Sequence, residues 1–311
     1  MRATSARELY AGWAEAETPR PGERRRRCRY EIKALDLLDV DVESSFLVLT
    51  HDIGVTTRAK VLTYLLLGEG EPVLVDTGAA SPEIMLRLGM PSHQTEEQRL
   101  ESQLALHGVA MEDVRTIVHT HTHIDHAGQD DRFPNATVVM NRRELEYSAS
   151  ALQGAQYPPE YVKHHIDRLH TPGALRLLDL ELSGPDEIQP GIVCEAAAHT
   201  EGSMNVLVET GEGTACICGD VVYDIHHSIV EPYHVGLARE PQTSGNHGLS
   251  KRYERAAIKK ALNSGTFLLP MHDEPARIEH GRVVARLTGR SVPGPETPVV
   301  PIDAEALAAH A

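Results

Sequence analysis

The chain has 311 residues, 41% of them hydrophobic, and can therefore bury a full core without covalent cross-links. Its formal net charge of −15 repels phosphate backbones and argues against a nucleic-acid partner. No apolar run approaches the roughly 20 residues of a membrane span, and no signal peptide opens the sequence, so we expect a cytoplasmic protein that does not contact a membrane.

The N-terminal segment differs in charge from the rest of the chain. The first 30 residues hold eight Arg against four Glu, and the Arg run at 24–27 is followed by no hydrophobic segment. This composition predicts a flexible, solvated arm over residues 1–30. We expect one large domain over residues 31–290 and a C-terminal tail over residues 291–311.

The cysteines show neither metal-finger nor redox spacing. Cys28, Cys194, Cys216 and Cys218 are therefore expected to be reduced thiols, as is usual in cytosolic proteins. No disulfide is expected to close a loop of the fold.

Three short apolar runs open the predicted domain. Residues 46–50, 61–67 and 72–75 are rich in Val, Leu and Tyr and predict buried strands. Asp76 closes the third run, and an acidic residue at a strand end can orient a metal-ligating histidine through its second ring nitrogen. The same residue can instead initiate a turn, and the spacing alone favours neither interpretation.

A helix and two further strands follow. A capping box at residues 95–98 predicts a helix over 96–107, whose Leu100, Leu104 and Leu106 would pack on a sheet. Strands are predicted at residues 116–118 and 136–140. The order helix, strand, loop, strand is typical of α/β layer structures, whose sites lie outside strand ends.

Residues 119–126 hold four histidines and one aspartate directly after a predicted strand. His121 and His123 are two positions apart and point the same way at a strand end, and Asp125 and His126 follow where the backbone can turn back. This geometry can hold two neighbouring metal ions, and imidazole with one carboxylate suits zinc, iron, manganese or cobalt. The alternative is a polar loop with incidental histidines, which this density disfavours.

Other predicted strands also end in candidate ligands. His199, Asp220 and His272 stand just after apolar runs in the second half of the chain. The strands are predicted at residues 192–197, 204–209, 214–218 and 266–270. A helix is predicted over 251–263, with Tyr253, Ala257 and Ala261 on its buried face.

Two further segments are rich in histidine. Residues 142–170 are expected to be helical, with a break at Pro158-Pro159 and with His164, His165 and His170 on the surface. Residues 226–250 form a long irregular segment, which is more often a lid or substrate wall than a plain connection. It carries His226, His227, His234 and His247.

These motifs together resemble the metallo-β-lactamase superfamily over about residues 45–275. The resemblance implies an α/β fold, an αββα sandwich of two mixed β-sheets flanked by helices. It also implies a dinuclear metal site with Asp220 bridging both ions. The implied ligands are His121, His123 and His199 for the first ion and Asp125, His126 and His272 for the second.

Differences from the motifs of particular subfamilies make membership of those subfamilies less favoured. His123 is not the Glu that di-iron flavoprotein relatives carry, which disfavours redox chemistry. Asp220 stands where β-lactamases lack a bridging carboxylate, which disfavours antibiotic hydrolysis. The segment after His272 is too short for the glutathione-binding domain of glyoxalase II relatives, and Ala198 replaces a usual Gly without removing a ligand.

The pattern is most similar to that of N-acyl-homoserine lactone lactonases. In that group a Tyr follows the bridging Asp by three residues, as Tyr223 follows Asp220 here. The resemblance implies that Tyr223 hydrogen-bonds the carbonyl oxygen of the substrate. A half-buried aromatic at a strand end is the alternative interpretation.

The expected function is opening of a lactone, or cleavage of a related carboxylic ester, by metal-bound hydroxide that attacks the carbonyl. Zinc is the first expectation for both divalent ions, with iron, manganese or cobalt as alternatives. Asp125 or Asp220 would shuttle the proton, and Tyr223 would stabilise the oxyanion. A thioesterase, a phosphodiesterase and a non-enzymatic interaction protein are the alternatives, and the acidic body disfavours the phosphodiesterase. A homodimer is compatible with the resemblance.

Overall fold

A computed structural model describes residues 29–232 and 240–287, together with the backbone of Val299–Pro301. Residues 1–28 of the predicted N-terminal arm, which include Cys28, lie outside the described residues, as does His234. Tyr30, the last residue assigned to the arm, is instead buried, and its N–H donates to the Glu209 carbonyl at 2.8 Å. The division into arm, domain and tail stays a prediction. Within the described residues, no helix combines the length and the hydropathy that crossing a bilayer requires.

Two β-sheets form the centre of the fold. The first has seven strands in the order β4-β1-β2-β3-β5-β6-β7, and the second has eight in the order β15-β14-β13-β12-β11-β10-β9-β8. The strands of the first sheet are β1 (Glu31–Glu43), β2 (Thr56–Leu67), β3 (Val73–Val75), β4 (Ser92–His93), β5 (Thr116–Val118), β6 (Thr137–Asn141) and β7 (Leu175–Leu178). Those of the second are β8 (Asp186–Gln189), β9 (Ile192–Ala196), β10 (Met204–Thr210), β11 (Gly213–Gly219), β12 (Phe267–Pro270), β13 (Ala276–Glu279), β14 (Arg282–Leu287) and β15 (Val299–Pro301).

Helices cover the outer faces of both sheets. The α-helices are α1 (Ser44–Leu47), α2 (Leu100–Ala105), α3 (Arg142–Ala149), α4 (Pro159–Leu169), α5 (Leu180–Ser183) and α6 (Lys251–Ser264). Short 3₁₀ segments lie at Pro82–Leu88, Met111–Asp113, Asp130–Arg132 and Gly154–Gln156, and a π-helical turn lies at His226–Val230. This arrangement confirms the expected αββα sandwich.

Successive side chains of a strand point to opposite faces of the sheet, and this explains how the apolar layers form. Val73 and Val75 of β3 point between the sheets, where they join Met204 and Leu269 in one apolar cluster. Leu74 points to the opposite face, where it packs in the cluster that contains α2. A third cluster packs α6 on the outer face of the second sheet. Apolar side chains on both faces of β3 are what burial between two layers demands.

Parallel strand pairs bring the candidate ligands to one edge of the sandwich. β3, β5 and β6 run parallel in the first sheet, and β11 and β12 run parallel in the second. Their carboxyl ends therefore open on common edges, which is where polar side chains after buried strands meet. Most predicted elements agree with the structure: the strands at 61–67, 72–75, 116–118, 136–140, 192–197, 204–209, 214–218 and 266–270, and the helix at 251–263.

Two predicted elements were wrong in type or extent. Residues 46–50 form the end of α1 and a turn, not a strand, because the chain here reverses between the paired strands β1 and β2. The helix predicted over 96–107 begins only at Leu100. The Gln98 side chain does accept from the Thr95 amide at 2.9 Å, but this contact closes a turn before the helix and does not cap it.

Two expected buried faces were also partly wrong. Leu100 and Leu104 are buried, but Leu106 is 55% exposed because the helix ends at Ala105. On α6, Ala257 and Ala261 are buried and Tyr253 is 64% exposed, since the apolar stripe is completed by other residues of the helix. The long strand β1 and the C-terminal strands β13 to β15 were not predicted.

The backbone of Gly202 packs closely against helix α3, so a larger residue at this position should destabilise the fold. An added Cβ would lie 1.9 Å from the Glu144 backbone nitrogen, so the loop or helix α3 has to move. We expect Gly202→Ala to lower the free energy of unfolding by about 3 kcal/mol in a guanidinium titration.

Gly211→Ala is the matched control, since its Cβ would meet nothing within 4 Å and its backbone needs no left-handed angle. We expect it to unfold at the denaturant concentration of the unmutated chain. Equal stability of the two variants would contradict the described contact between the loop and α3.

Candidate metal centre

Three imidazoles and one carboxylate converge beyond the ends of β5, β9 and β11. The Nδ1 atom of His123 lies 3.0 Å from His121 Nε2 and 3.2 Å from His199 Nε2. Asp220 Oδ2 lies 3.7 Å from His121 Nε2 and 3.6 Å from His199 Nε2. All four side chains are buried. This is the first cluster.

A second cluster adjoins it. His126 Nε2 and His272 Nε2 lie 3.7 Å and 3.5 Å from the two oxygens of Asp125. The same two nitrogens lie 3.2 Å and 3.1 Å from Asp220 Oδ1. The Asp220 carboxylate therefore turns one oxygen toward each cluster. The structure brings together all seven residues that the sequence predicts as ligands.

The spacing of the donor atoms fits tetrahedral coordination. In such a site, with bonds of about 2.0 to 2.2 Å, neighbouring donors lie roughly 3.3 to 3.6 Å apart. The observed distances between donor atoms, 3.0 to 3.7 Å, extend slightly below and above this range in both clusters. Divalent cations bound by imidazole and carboxylate fit these positions.

Unpaired buried atoms support the same interpretation. Among the described residues, His126 Nε2, His272 Nε2 and Asp220 Oδ1 are fully buried side-chain atoms that make no hydrogen bond. Such atoms carry a desolvation penalty unless a partner compensates them. A cation between them would satisfy all three at once.

The second ring nitrogens are held by protein partners. His126 Nδ1 lies 2.8 Å from Asp76 Oδ2, and His272 Nδ1 lies 2.7 Å from the Lys60 carbonyl. His123 Nε2 lies 2.7 Å from Gln153 Oε1. Each contact fixes the ring orientation and leaves the other nitrogen free to ligate. Of the two interpretations of Asp76, the geometry favours the orienting one.

Glu144 ties two ligand-bearing loops together. Its Oε1 accepts from the Thr122 amide at 2.8 Å and from the Tyr157 hydroxyl at 2.9 Å, while its Oε2 accepts from the Thr200 hydroxyl. Thr122 stands between His121 and His123, and Thr200 follows His199. One buried carboxylate on α3 thus sets the separation of both loops.

The electrostatics differ between the clusters. Burial lowers the pKa of His121 and His199 well below the ordinary value, so both rings are neutral and can ligate a cation. Burial also lowers the pKa of His126 and His272, but the neighbouring carboxylates, chiefly Asp220 and Asp125, together outweigh it and raise both above the ordinary value. The second cluster is therefore the one that attracts positive charge most strongly.

A buried His–Asp–His network lies behind the clusters. Asp130 Oδ2 lies 2.8 Å from His119 Nε2 and 2.9 Å from His165 Nε2, and Asp130 Oδ1 accepts from the Thr77 hydroxyl at 2.9 Å. His119 Nδ1 lies 3.2 Å from Asp76 Oδ1. Burial opposes a charge on His119, but the carboxylates of Asp130 and Asp76, through their charges and hydrogen bonds, together raise its pKa to about 9.

The surface positions expected for three histidines were therefore partly wrong. His165 is 1% exposed because it points from α4 toward Asp130, whereas the sequence spacing placed it on the surface. His164 is half-buried and accepts from Arg168 Nε at 2.8 Å. His170 is exposed, as expected.

Tyr223 lies beside the clusters. Its hydroxyl is 3.5 Å from His199 Nε2, and its ring stacks on His272 with centroids 5.0 Å apart. Burial, with the nearby charges of Asp220 and Asp125, holds the pKa of the phenol well above its usual range. The hydroxyl is therefore a protonated donor at neutral pH.

An apolar pocket opens onto the two clusters. Its lining includes Asp125, Asp220 and Tyr223 from the clusters and their surroundings, and most of its other lining residues are aliphatic or aromatic. The wall residues come mainly from β1, α1 and the 3₁₀ segment that follows β3, and they include Val40, Val42, Phe46, Leu47, Met85 and Met90. Such a pocket fits an apolar group attached to a polar group that lies against the clusters.

Three side chains that orient the site were not predicted from the sequence. Glu144, Gln153 and Asn246 carry no ligand spacing, and they lie 22, 30 and 47 residues along the chain from Thr122, His123 and His199, which they contact. Of the histidines in 226–250, His227 pairs with Asp224 at 2.8 Å and His247 is exposed. The lid role of this segment stays a prediction.

Comparison with known proteins agrees with this geometry. A family model of the metallo-beta-lactamase superfamily matches residues 56–272. An N-acyl homoserine lactonase from Bacillus cereus is 32% identical over 161 residues, which cover 48% of this chain and 58% of that protein. The match thus spans less than two thirds of that relative.

Solved structures share the fold. The structure of an N-acyl homoserine lactone hydrolase, with the product N-hexanoyl-L-homoserine at its catalytic metal centre, gives a TM-score of 0.58 at 22% identity and covers 74% of this chain and 86% of that one. A dizinc quorum-quenching lactonase, AidC, in complex with a product gives 0.55 at 15% identity and covers 89% and 98%. The resemblance stated from the motifs is confirmed.

Glu144 provides a test of how the two ligand loops are held. We expect Glu144→Ala to lower the free energy of unfolding by about 3 kcal/mol in a denaturant titration with chelator, because buried donors on both loops lose their acceptor. We also expect weaker retention of divalent metal during dialysis, measured by elemental analysis.

Glu146→Ala on the exposed face of the same helix is the control and should change neither quantity. If the Glu144 variant keeps full stability and full metal content, the loops do not depend on this carboxylate.

Proposed function

This chain belongs to the metallo-beta-lactamase superfamily, and we propose that it is a dinuclear metal-dependent hydrolase that opens a lactone or cleaves a related carboxylic ester. The observation that carries the proposal is the Asp220 carboxylate, which turns one oxygen toward each of two donor clusters. A protonated phenol stands next to it. These are the parts that carbonyl hydrolysis requires.

The proposed ligands follow the two clusters. His121, His123 and His199 would hold the first ion and Asp125, His126 and His272 the second, with Asp220 shared by both. When bound, such ions would lower the pKa of a water molecule from about 15.7 to near 7 and would polarise a carbonyl oxygen. We propose zinc for both positions, since the donor set suits it and a structural neighbour is a dizinc lactonase.

The side chains of this chain supply the remaining steps. Tyr223 donates a hydrogen bond to the carbonyl oxygen as negative charge develops on it. Asp125 and Asp220 are the two carboxylates that can take the proton of the attacking water and return it to the leaving oxygen. Asp125 is better placed to do so, because its side chain is 12% exposed against 2% for Asp220.

The substrate class follows from the pocket. An apolar wall ending in polar groups fits an acyl or alkyl chain attached to the reacting carbonyl. The relative from Bacillus cereus acts on N-acyl homoserine lactones, which have this form. An acyl thioester also has an apolar chain attached to a reacting carbonyl, so the same pocket makes it the second candidate substrate.

A substrate screen separates these candidates. The purified chain, with its metal content measured without added metal, is offered acyl lactones, aryl esters, acyl thioesters and a bis-phosphodiester at equal concentration. We expect the highest kcat/KM on a lactone with an apolar acyl chain, and loss of turnover with chelator. A preference for thioesters would replace the lactonase assignment, and a preference for the phosphodiester would overturn the carbonyl reaction.

Asp220→Asn tests the shared ligand. We expect turnover to fall by at least about 10³-fold, and metal content to fall below two ions per chain, because an amide does not provide two anionic oxygens. Asp224→Asn, four residues along and paired with a half-exposed His227, is the control. Near-normal activity with two bound ions in the Asp220→Asn variant would defeat the bridging role of this carboxylate.

A further inference from the structure

A short polar segment from the second half of the chain docks beside His199. Asn246, in the Gly245-Asn246-His247-Gly248 stretch, is 2% exposed. Its side-chain Nδ2 lies 3.4 Å from His199 Nε2, the nitrogen that faces the first cluster. A buried amide at this position was neither predicted nor used by the proposed mechanism.

The orientation of the Asn246 amide is settled by a backbone contact. The Gly248 N–H lies 2.9 Å from Asn246 Oδ1, and an N–H can only donate. Oδ1 must therefore face Gly248, and the NH₂ group must face the clusters. A flipped amide would place two donors against each other.

A second hydrogen-bond chain fixes the same orientation independently. His123 uses Nδ1 toward the first cluster, so its Nε2 carries the proton and donates to Gln153 Oε1 at 2.7 Å. The NH₂ of Gln153 then faces Asn246 Oδ1 at 3.4 Å. Two unrelated contacts thus turn the Asn246 NH₂ toward the metal side.

The segment around Asn246 is rigidly seated. Its own N–H donates to Ser244 Oγ at 3.2 Å, and its carbonyl accepts from Lys251 Nζ. Gly245 N donates to the Phe46 carbonyl at 2.8 Å, and a Cβ at Gly245 would lie 2.2 Å from the Ser45 carbonyl oxygen. The amide is therefore held in place before any ligand arrives.

A cation at the first cluster changes what Asn246 can bind. The lone pair of His199 Nε2 would then be used in coordination and could not accept a hydrogen bond. Tyr223 points its hydroxyl at the same nitrogen from 3.5 Å. Both donors are therefore directed at the space beside His199, where a reacting oxygen would lie.

We propose that Asn246 Nδ2 is a second hydrogen-bond donor to the carbonyl oxygen of the substrate, alongside Tyr223. The inference rests on the proposed carbonyl hydrolysis and adds a residue to it. Asn246 has two N–H bonds, so it can also touch the Tyr223 oxygen, a contact that lowers the pKa of the phenol. The experiment has to separate direct donation from orientation of Tyr223.

Four variants provide that separation: Asn246→Asp, Asn246→Ala, Tyr223→Phe and the double variant Tyr223→Phe/Asn246→Ala. Asn246→Asp keeps the shape and the acceptor for Gly248 but removes the donor, so it stays informative if Asn246→Ala does not fold. Asn263→Ala, at an exposed amide on α6, is the control. Kinetics on the best carbonyl substrate, metal content and thermal unfolding are measured for each.

We expect Asn246→Ala to lose about 10²-fold in kcat, the usual effect of one oxyanion donor, with KM changed much less. Its metal content and unfolding temperature should match the control variant. Asn246→Asp should lose at least as much in kcat, because its carboxylate removes the donor and also repels the negative charge that develops on the carbonyl oxygen. In the Tyr223→Phe background, Asn246→Ala should cost at least about a further 10-fold, because a direct donor still acts when the phenol is absent.

Other results overturn the inference. Unchanged kcat in Asn246→Asp excludes a donor role, and a loss confined to the background with Tyr223 reduces Asn246 to a positioning residue. Loss of metal in both Asn246 variants would show that they disturb the ligands instead. If the unmutated chain hydrolyses no carbonyl substrate, the proposed function is wrong and the inference is wrong with it. If the chain hydrolyses a carbonyl substrate but its kcat does not depend on Asn246, only the inference is wrong.

Discussion

A buried carboxylate is the constraint on which the rest of the site depends. Asp220 is 4% exposed, and burial alone would raise its pKa, yet the imidazoles of His272 and His126 bring the pKa well below its usual range. A charge in this position is stable only if positive charge faces both of its oxygens. Protons on His126 and His272 can supply it on one side, and divalent cations can supply it on both. If the proposed cations bind here, folding of this region is linked to their binding.

The neighbouring layers serve to keep ligand atoms pointing at that carboxylate. Asp76, Glu144 and Gln153 each hold a ligand ring or a ligand loop from the side away from the clusters. Asp76 continues through His119 to Asp130, all within the first sheet and its helices. Because the contacts of Asp76 and Glu144 are buried, small rotations of the groups they hold are costly. The resulting rigidity is what a pre-formed metal site requires.

Several candidate ligands could be found in the sequence because they follow buried strands. His121, His199, Asp220 and His272 stand just beyond apolar runs, and period and length suffice to find such runs. The residues that orient them could not be found in this way. Glu144 and His165 lie on helices, and their partners are brought near only by packing of those helices on the sheet. The strand predicted from Phe46 onward was wrong for a related reason. A short apolar run does not distinguish a strand from a helical turn that lines a pocket.

The segment that contains Asn246 shows that residue type alone does not identify the side chain that lies at a site. Its histidine, His247, is exposed, while the neighbouring amide is the buried group beside the clusters. An imidazole or carboxylate turned inward here would compete with His199 and Asp220 for the cations. An amide cannot be deprotonated at neutral pH and is a poor ligand through its nitrogen, so it can stand next to a metal site and still donate. A neutral donor is therefore the side chain that this position can carry without disturbing the coordination it adjoins.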